Sequence, residues 1–125
     1  MSRLTIGGAV LDFVFLFGAA RPGLAQAQAN QASPQRGAAV YQEWCAPCHS
    51  SGRGNPGTAA LAVKYKDRQP AVPAVLTDRT DLTPQSIRFF VRKGVSVMAP
   101  FRKTEISDAD LEALSAYLMR NNRAR

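Results

Sequence analysis

The sequence predicts an all-α fold of three to four helices, and three observations support this prediction. Three stretches carry apolar residues at helical spacing, and a typical helix-capping residue precedes each of them. Glycine and proline recur through residues 50–82 at intervals that oppose regular strands. The chain has 125 residues with 46% hydrophobic content, which fits one domain, because domains usually contain roughly 100–200 residues.

The first part of the chain resembles an export signal. Arg3 supplies a positive start, residues 4–20 are mostly apolar, and Ala25-Gln26-Ala27 offers small residues for cleavage. Asp12 opposes a permanent membrane span, because a charge at the centre of an inserted helix costs about 2–3 kcal/mol. We therefore expect a cleaved signal peptide at residues 1–27 and a periplasmic protein. An uncleaved anchor or a buried N-terminal helix is the alternative.

The rest of the chain divides into a polar, alanine-rich linker at residues 28–33 and one domain at residues 34–125. The formal net charge of the full chain is +7. Basic chains can bind nucleic acid, but these charges are scattered and form neither an arginine-rich block nor a recognition helix. We therefore expect a solvated basic surface that attracts acidic protein partners, with no nucleic-acid binding and no stable membrane span.

Each predicted helix has its own start signal. Ser33 is the N-cap of the first helix, which leads toward Cys45, and proline follows the cap. Thr83 and Ser107 are the N-caps of the second and third helices, and Gly94 ends the second. The apolar faces of these two helices consist of Ile87, Phe90, Val91, Leu111, Leu114 and Leu118.

A long segment at residues 50–82 separates the first and second predicted helices. Residues 59–66 can form a short helix, and the remainder is irregular. Long irregular segments in compact domains are usually functional, and a segment that wraps around a flat cofactor would explain this one.

The motif Cys45-Ala46-Pro47-Cys48-His49 carries the chemistry. Its two thiols can form thioethers with the vinyl groups of haem, and the histidine that follows directly is placed to ligate the iron. The chain has no other cysteine and no other histidine. The motif therefore predicts one covalently bound haem c, with Cys45 and Cys48 as attachment sites and His49 as an axial ligand.

The same motif has three other possible uses. A thioredoxin-like dithiol needs a strand before the motif and a helix after it, whereas here a helix comes first. Structural zinc needs four protein ligands, and the motif supplies three. A plain disulfide is compatible with export but leaves His49 without a role.

A second axial ligand must come from elsewhere in the chain. Because no second histidine exists, a methionine thioether is the natural candidate. Met98 lies in the loop after the second predicted helix, whereas Met119 lies near the end of the third, where packing is its ordinary role. We therefore predict Met98. A replaceable ligand such as Lys93 or Lys103, or an open site, remains the alternative.

Read together, these features resemble the class I cytochrome c family over residues 34–118. The shared features are an N-terminal helix that ends in the attachment motif, a proline-bearing loop, and a methionine loop before a C-terminal helix. The resemblance implies a small cytochrome c fold wrapped around the haem. It also implies that the carbonyl of Pro56 binds the imidazole of His49. Ala99 is a departure, since a proline often follows the ligand methionine directly in that family.

The same family packs its first and last helices against each other through a small residue and aromatic residues. Here Gly37, Tyr41 and Tyr117 match that contact. Basic residues that we expect to orient a redox partner around the haem edge are Lys64, Lys66, Arg92, Lys93, Arg102 and Lys103.

The resemblance implies an electron carrier rather than an enzyme. Residues 82–108 look like the small cytochromes that accept electrons from periplasmic dehydrogenases, including the cytochrome subunits of cresol-type flavoprotein hydroxylases. A flavin- or quinone-cofactor dehydrogenase is then the expected donor, and an oxidase or another cytochrome of the respiratory chain is the expected acceptor. The alternative functions are a haem-based sensor of small ligands or a peroxidase-like enzyme with a detachable distal ligand, and a haem-free dithiol protein.

Overall fold

The computed structural model describes residues 33–124 and confirms the all-α prediction. The predicted signal peptide and the linker up to residue 32 lie outside the described residues. Two 3-10 turns accompany the helices, at Leu76–Asp78 and Met119–Ala124. The main helical elements are α1 (Pro34–Val40), a π-helical turn (Tyr41–Cys45), α2 (Ala46–His49), α3 (Pro56–Tyr65), α4 (Pro84–Lys93) and α5 (Asp108–Leu118).

The first predicted helix is present, and it contains a feature that the sequence did not indicate. The hydroxyl of Ser33 accepts a hydrogen bond from the Arg36 amide at 3.2 Å, which confirms the predicted N-cap. Five residues, Tyr41–Cys45, then form a π-helical turn. Such turns hold one extra residue and often occur at functional sites. Here the π turn ends at Cys45, the first cysteine of the motif.

The starts of α4 and α5 confirm the other two predicted N-caps. Thr83 and Ser86 form a reciprocal capping box, with an amide-to-hydroxyl hydrogen bond in each direction at 3.0 and 3.1 Å. Ser107 accepts from the Asp110 amide at 3.1 Å and donates its hydroxyl proton to the Asp110 carboxylate at 2.7 Å. Gly94 ends α4 with a φ of 66°, a conformation that glycine adopts without strain.

The first and last helices pack directly against each other. Gly37 lies so close to α5 that a β-carbon on it would overlap the carbonyl oxygen of Ala113. The rings of Tyr41 and Tyr117 have their centroids 5.7 Å apart. This arrangement confirms the contact that the family resemblance implied for Gly37, Tyr41 and Tyr117.

The apolar core of residues 33–124 lies among α1, α4 and α5. Ile106, Leu111 and Leu114 are its fully buried side chains, and α4 contributes Ile87 and Val91. Burial of a leucine or isoleucine side chain stabilises the fold by about 1.5–3 kcal/mol. Cys45 and Ala46 of the motif belong to the same core as Leu111 and Leu114 of α5, so the core joins the motif to the C-terminal helix.

The segment at residues 50–82 contains more helix than the sequence suggested. The short helix expected at residues 59–66 is present, but it begins earlier, at Pro56, because proline is favoured in the first helical turn. In the rest of the segment, Arg79 is buried, with 6% of its surface exposed, and it links two parts of the segment. Its guanidinium binds both carboxylate oxygens of Asp81 and lies 4.6 Å from the ring centroid of Tyr65. Across residues 33–124, no helix is long and apolar enough to cross a membrane.

Candidate functional site

The attachment motif lies where the π turn passes into α2. Cys45 is the last residue of the π turn and is 8% exposed, whereas Cys48 in α2 is exposed to solvent. Both are free thiols. Burial, with a smaller contribution from the nearby Cys48, raises the pKa of Cys45 to about 12.

The state of Cys45 bears on the dithiol alternative. With a pKa raised this far, Cys45 is unsuited to be the attacking thiolate of disulfide exchange. A helix also leads into the motif where a thioredoxin-like site has a strand. The missing strand disfavours a thioredoxin-like dithiol site.

The zinc alternative depends on converging ligands. Among the described residues, no three histidine, cysteine or acidic side chains lie close enough to hold a metal ion together. Cys45, Cys48 and His49 therefore do not lie close enough together to hold one metal ion by themselves, and a structural zinc site requires four such ligands.

His49 ends α2 and presents a half-buried imidazole. Its Nδ1 atom is buried and has no hydrogen-bond partner. Burial lowers the pKa of His49, so the ring is neutral at pH 7, and a neutral imidazole is the form that ligates iron. The hydroxyl of Tyr41 donates to the His49 carbonyl oxygen at 3.1 Å and holds the end of the helix in place. An orphaned, neutral imidazole beside two free thiols fits a covalently bound haem.

The residue in contact with the imidazole is Gly57, which is not among the site residues that the sequence predicts. A β-carbon on Gly57 would lie 2.5 Å from the ring Cε1 of His49. The hydrogen bond expected between the Pro56 carbonyl oxygen and Nδ1 is not formed, since Nδ1 has no partner. Pro56 is the first residue of α3, so its carbonyl points along the helix axis. The sequence signal that could have identified Gly57 is its position directly after Pro56, the proline that starts α3.

Met98 lies on the loop between α4 and α5. Its backbone forms two hydrogen bonds with Val95, one in each direction and both 2.9 Å long, around a tight turn in which Ser96 has a φ of 52°. The loop ends near the motif, because the ring of Phe101 packs edge-on against Trp44 with the centroids 5.8 Å apart. Trp44 directly precedes Cys45 in the chain, so this contact joins the methionine loop to the attachment helix. We name residues 94–101 the Met98 loop.

The other methionine has a different environment. Met119 is partly buried and packs against the apolar core, which agrees with its predicted packing role.

One of the predicted surface charges was assigned wrongly. The Arg92 side chain is only 17% exposed and turns inward, so it cannot belong to a solvent-exposed rim. Lys103 is exposed but forms an ion pair with Asp108 at 2.6 Å. The other four residues of that set have exposed side chains, namely Lys64, Lys66, Lys93 and Arg102.

Comparison with known proteins adds one finding. Residues 32–118 match the model of the family described as cytochrome c oxidase, cbb3-type, subunit III. The match spans α1 to α5 and includes the attachment motif and the Met98 loop. The chain belongs to this family of c-type cytochromes. No curated protein and no solved structure matches the cytochrome.

Membership defines the general chemistry of the cytochrome. Its helices form a small all-α cytochrome c fold, and it carries covalently bound c-type haem. Haem-based electron transfer with protein partners is therefore its function in general terms.

Proposed function

We propose that the cytochrome is a periplasmic carrier that accepts single electrons from a flavin- or quinone-cofactor dehydrogenase and passes them to the respiratory chain. In this proposal Cys45 and Cys48 hold the haem, and His49 and Met98 are its axial ligands. The observation that carries the proposal is the half-buried imidazole of His49, whose buried Nδ1 has no partner, directly after one free thiol and four residues after the other.

Bound haem supplies an iron centre that gains or loses one electron. The residues of the chain hold that centre in a fixed frame. Tyr41 anchors the backbone of His49, and Gly57 leaves just enough space for the imidazole ring. Fixed ligands keep the reorganisation that accompanies electron transfer small, which suits a carrier.

The position of the Met98 loop supports a methionine ligand. The loop turns tightly between Val95 and Met98, and Phe101 joins its far end to Trp44 beside the motif. A thioether raises the reduction potential, and with both axial positions filled by protein no substrate reaches the iron. Both effects favour electron transfer over catalysis.

The surface supports a charged, transient encounter with a partner. Lys64, Lys93 and Arg102 are exposed, and the chain as a whole is basic, so an acidic partner would be attracted. The likeness of residues 82–108 to cytochromes that serve dehydrogenases supports a flavoprotein or quinoprotein donor. The description of the matched family supports an oxidase as acceptor.

Two measurements test the covalent attachment of the haem and its axial ligands. Covalent haem survives denaturation, so a denaturing gel stained for haem peroxidase activity should show a band, and its absence would support a dithiol protein. The ferrous cytochrome should keep a low-spin spectrum under carbon monoxide at neutral pH. A prompt spectral shift would instead indicate a detachable ligand and a sensor or peroxidase-like enzyme.

The partner and the location need separate experiments. The periplasmic fraction should contain the haem-stained chain in a form shorter than 125 residues, with a new N-terminus near residue 28. Purified ferric cytochrome should be reduced by a flavoprotein or quinoprotein dehydrogenase that is turning over its alcohol or phenol substrate. Failure with both enzyme classes would contradict the proposed donor.

A further inference from the structure

The Met98 loop begins and ends on the last turn of α4. Gly94 starts it by donating its amide hydrogen to Phe90, and Phe101 ends it by donating its amide hydrogen to the Val91 carbonyl oxygen at 2.8 Å. The backbone at the end of the loop passes close to Gly94, where an added β-carbon would lie 2.9 Å from the Pro100 nitrogen. The loop is therefore closed by contacts at its base rather than by packing of its tip, where Val97 is 89% exposed.

Arg92 lies at that base and binds three acceptors. Its Nη1 donates to the Phe101 carbonyl oxygen at 3.2 Å, and its Nη2 donates to the Ile106 carbonyl oxygen at 2.8 Å and to the Asp108 carboxylate at 3.1 Å. Both backbone groups of Phe101 are thus bound by consecutive residues of α4, the amide by Val91 and the carbonyl by Arg92. The same guanidinium also holds the segment that leads into α5.

The neighbouring charges do not duplicate this arrangement. Arg88 and Lys103 also contact Asp108, at 3.6 and 2.6 Å, but these contacts are to the carboxylate. Their side chains are 51% and 72% exposed, and exposed pairs contribute at most about 1 kcal/mol. Of Arg88, Arg92 and Lys103, it is Arg92 whose side chain donates to backbone carbonyl oxygens. These belong to Phe101 and Ile106, which flank residues 102–105. Hydrogen bonds from a charged donor are among the stronger ones in proteins.

We propose that Arg92 is a positioning residue that holds the Met98 loop closed and thereby keeps the methionine sulfur on the iron. This inference rests on the proposed ligation by Met98. A planar guanidinium can bind several acceptors in fixed directions, which the point charge of lysine cannot reproduce. Loss of Arg92 leaves the Phe101 and Ile106 carbonyls without their charged donor, so the loop opens more often.

The test compares Arg92→Gln with Arg88→Gln, a control on the same helix that also loses a contact to Asp108. The first readout is hydrogen exchange at the Phe101 amide, measured on the haem-loaded ferric protein. The second is the limiting rate at which potassium cyanide replaces the methionine sulfur, a reaction that requires the loop to open. Both should rise at least tenfold in Arg92→Gln, a factor equivalent to about 1.4 kcal/mol, and neither should change in Arg88→Gln.

A second control, Arg36→Gln, distinguishes opening of the Met98 loop from a general loss of stability. It removes the 2.6 Å ion pair between Arg36 in α1 and Asp110 in α5, which is remote in sequence from the Met98 loop. Equal acceleration in that variant would overturn the positioning role. If Arg92→Gln does not fold, Arg92→Lys decides the question, and it should show at least a threefold rise in both readouts. Unchanged exchange and cyanide rates in the available Arg92 variant would also overturn the proposal.

The proposed ligand is tested separately with Met98→Ala, which should bind cyanide without a slow opening step. If Met98→Ala binds cyanide as slowly as the unaltered protein, ligation by Met98 fails, and the role of Arg92 toward the iron fails with it. If Met98→Ala binds fast while Arg92→Gln behaves like Arg88→Gln, only the role of Arg92 is rejected.

Discussion

The hydroxyl of Tyr41 donates a hydrogen bond to the backbone carbonyl oxygen of His49, with 3.1 Å between the oxygens. This bond spans the π turn and the whole attachment motif. Tyr41 is buried, and its ring packs against Tyr117 in α5. The residue that ends the motif is therefore tied, through one side chain, to the interface between the first and last helices.

Removal of this hydroxyl should loosen the end of α2 without disturbing the helix interface. Tyr41→Phe keeps the ring contact with Tyr117 but leaves the His49 carbonyl without its donor. We expect the free energy of unfolding to fall by about 0.5–1.5 kcal/mol, measured by guanidinium titration of the haem-loaded protein. Tyr117→Phe is the matched control and should change stability less. Equal losses in the two variants would mean that the hydrogen bond contributes nothing specific.

Gly57→Ala tests the contact between α3 and the imidazole. In a helix this change alone stabilises a protein by about 0.5–1 kcal/mol, because alanine has less backbone freedom to lose. Here the added β-carbon would lie 2.5–2.8 Å from three ring atoms of His49. We therefore expect the opposite sign, namely lower stability together with a shifted Soret band. A stabilised variant with an unchanged spectrum would contradict the contact.

Gly37→Ala tests the crossing of α1 and α5. The new β-carbon would overlap the carbonyl oxygen of Ala113 and lie 2.7 Å from the Tyr117 β-carbon, so the helices must separate. Overpacking of this kind costs about 1–3 kcal/mol, which thermal unfolding of the haem-loaded protein would detect. Because helix propensity favours alanine, any measured loss of stability reports the interface.

Acid should weaken the interface between α1 and α5 through Asp110. Hydrogen bonds from Arg36 and then from Ser107 hold the pKa of Asp110 below its usual range. A group whose pKa is lower in the folded state stabilises the protein above the pKa of the unfolded state, about 3.9, and this contribution is lost as the pH falls through the folded pKa. The free energy of unfolding should thus drop below about pH 4.

The contribution of Asp110 to this acid sensitivity is isolated by Asp110→Asn. The variant should be less stable than the unaltered protein at pH 6, and the difference should shrink below about pH 4, where the native carboxylate becomes protonated. Unfolding titrations between pH 3 and 6 measure both curves. A difference that stays constant across this range would show that the Asp110 charge does not contribute.

Most of the fold was predictable because its signals are local. Ser33, Thr83 and Ser107 cap helices in the structure as their sequence contexts predicted. Capping depends on a side chain and an amide three residues away, so the relevant partners are visible within one short stretch of sequence. The contact between Gly37 and α5 was predicted through the family resemblance rather than from local pattern.

The errors concern partners that lie farther along the chain or depend on backbone direction. The sequence predicts Arg92 on the basic rim that orients a partner, yet its side chain donates to carbonyl groups 9 and 14 residues away. Pro56 was expected to offer its carbonyl to His49. Its place at the start of α3 directs that carbonyl along the helix, and Gly57 meets the ring instead.

By itself, the sequence determined the chemistry of this cytochrome: two cysteines and the sole histidine within five residues, helices with readable starts, and a small set of methionines. Only the tertiary structure decided how those groups are held. The π turn that ends at Cys45, the packing of Gly57 on His49 and the inward turn of Arg92 depend on how separate segments meet. Capping and attachment motifs act over a few residues, whereas burial and multi-acceptor hydrogen bonding exist only once the chain has folded.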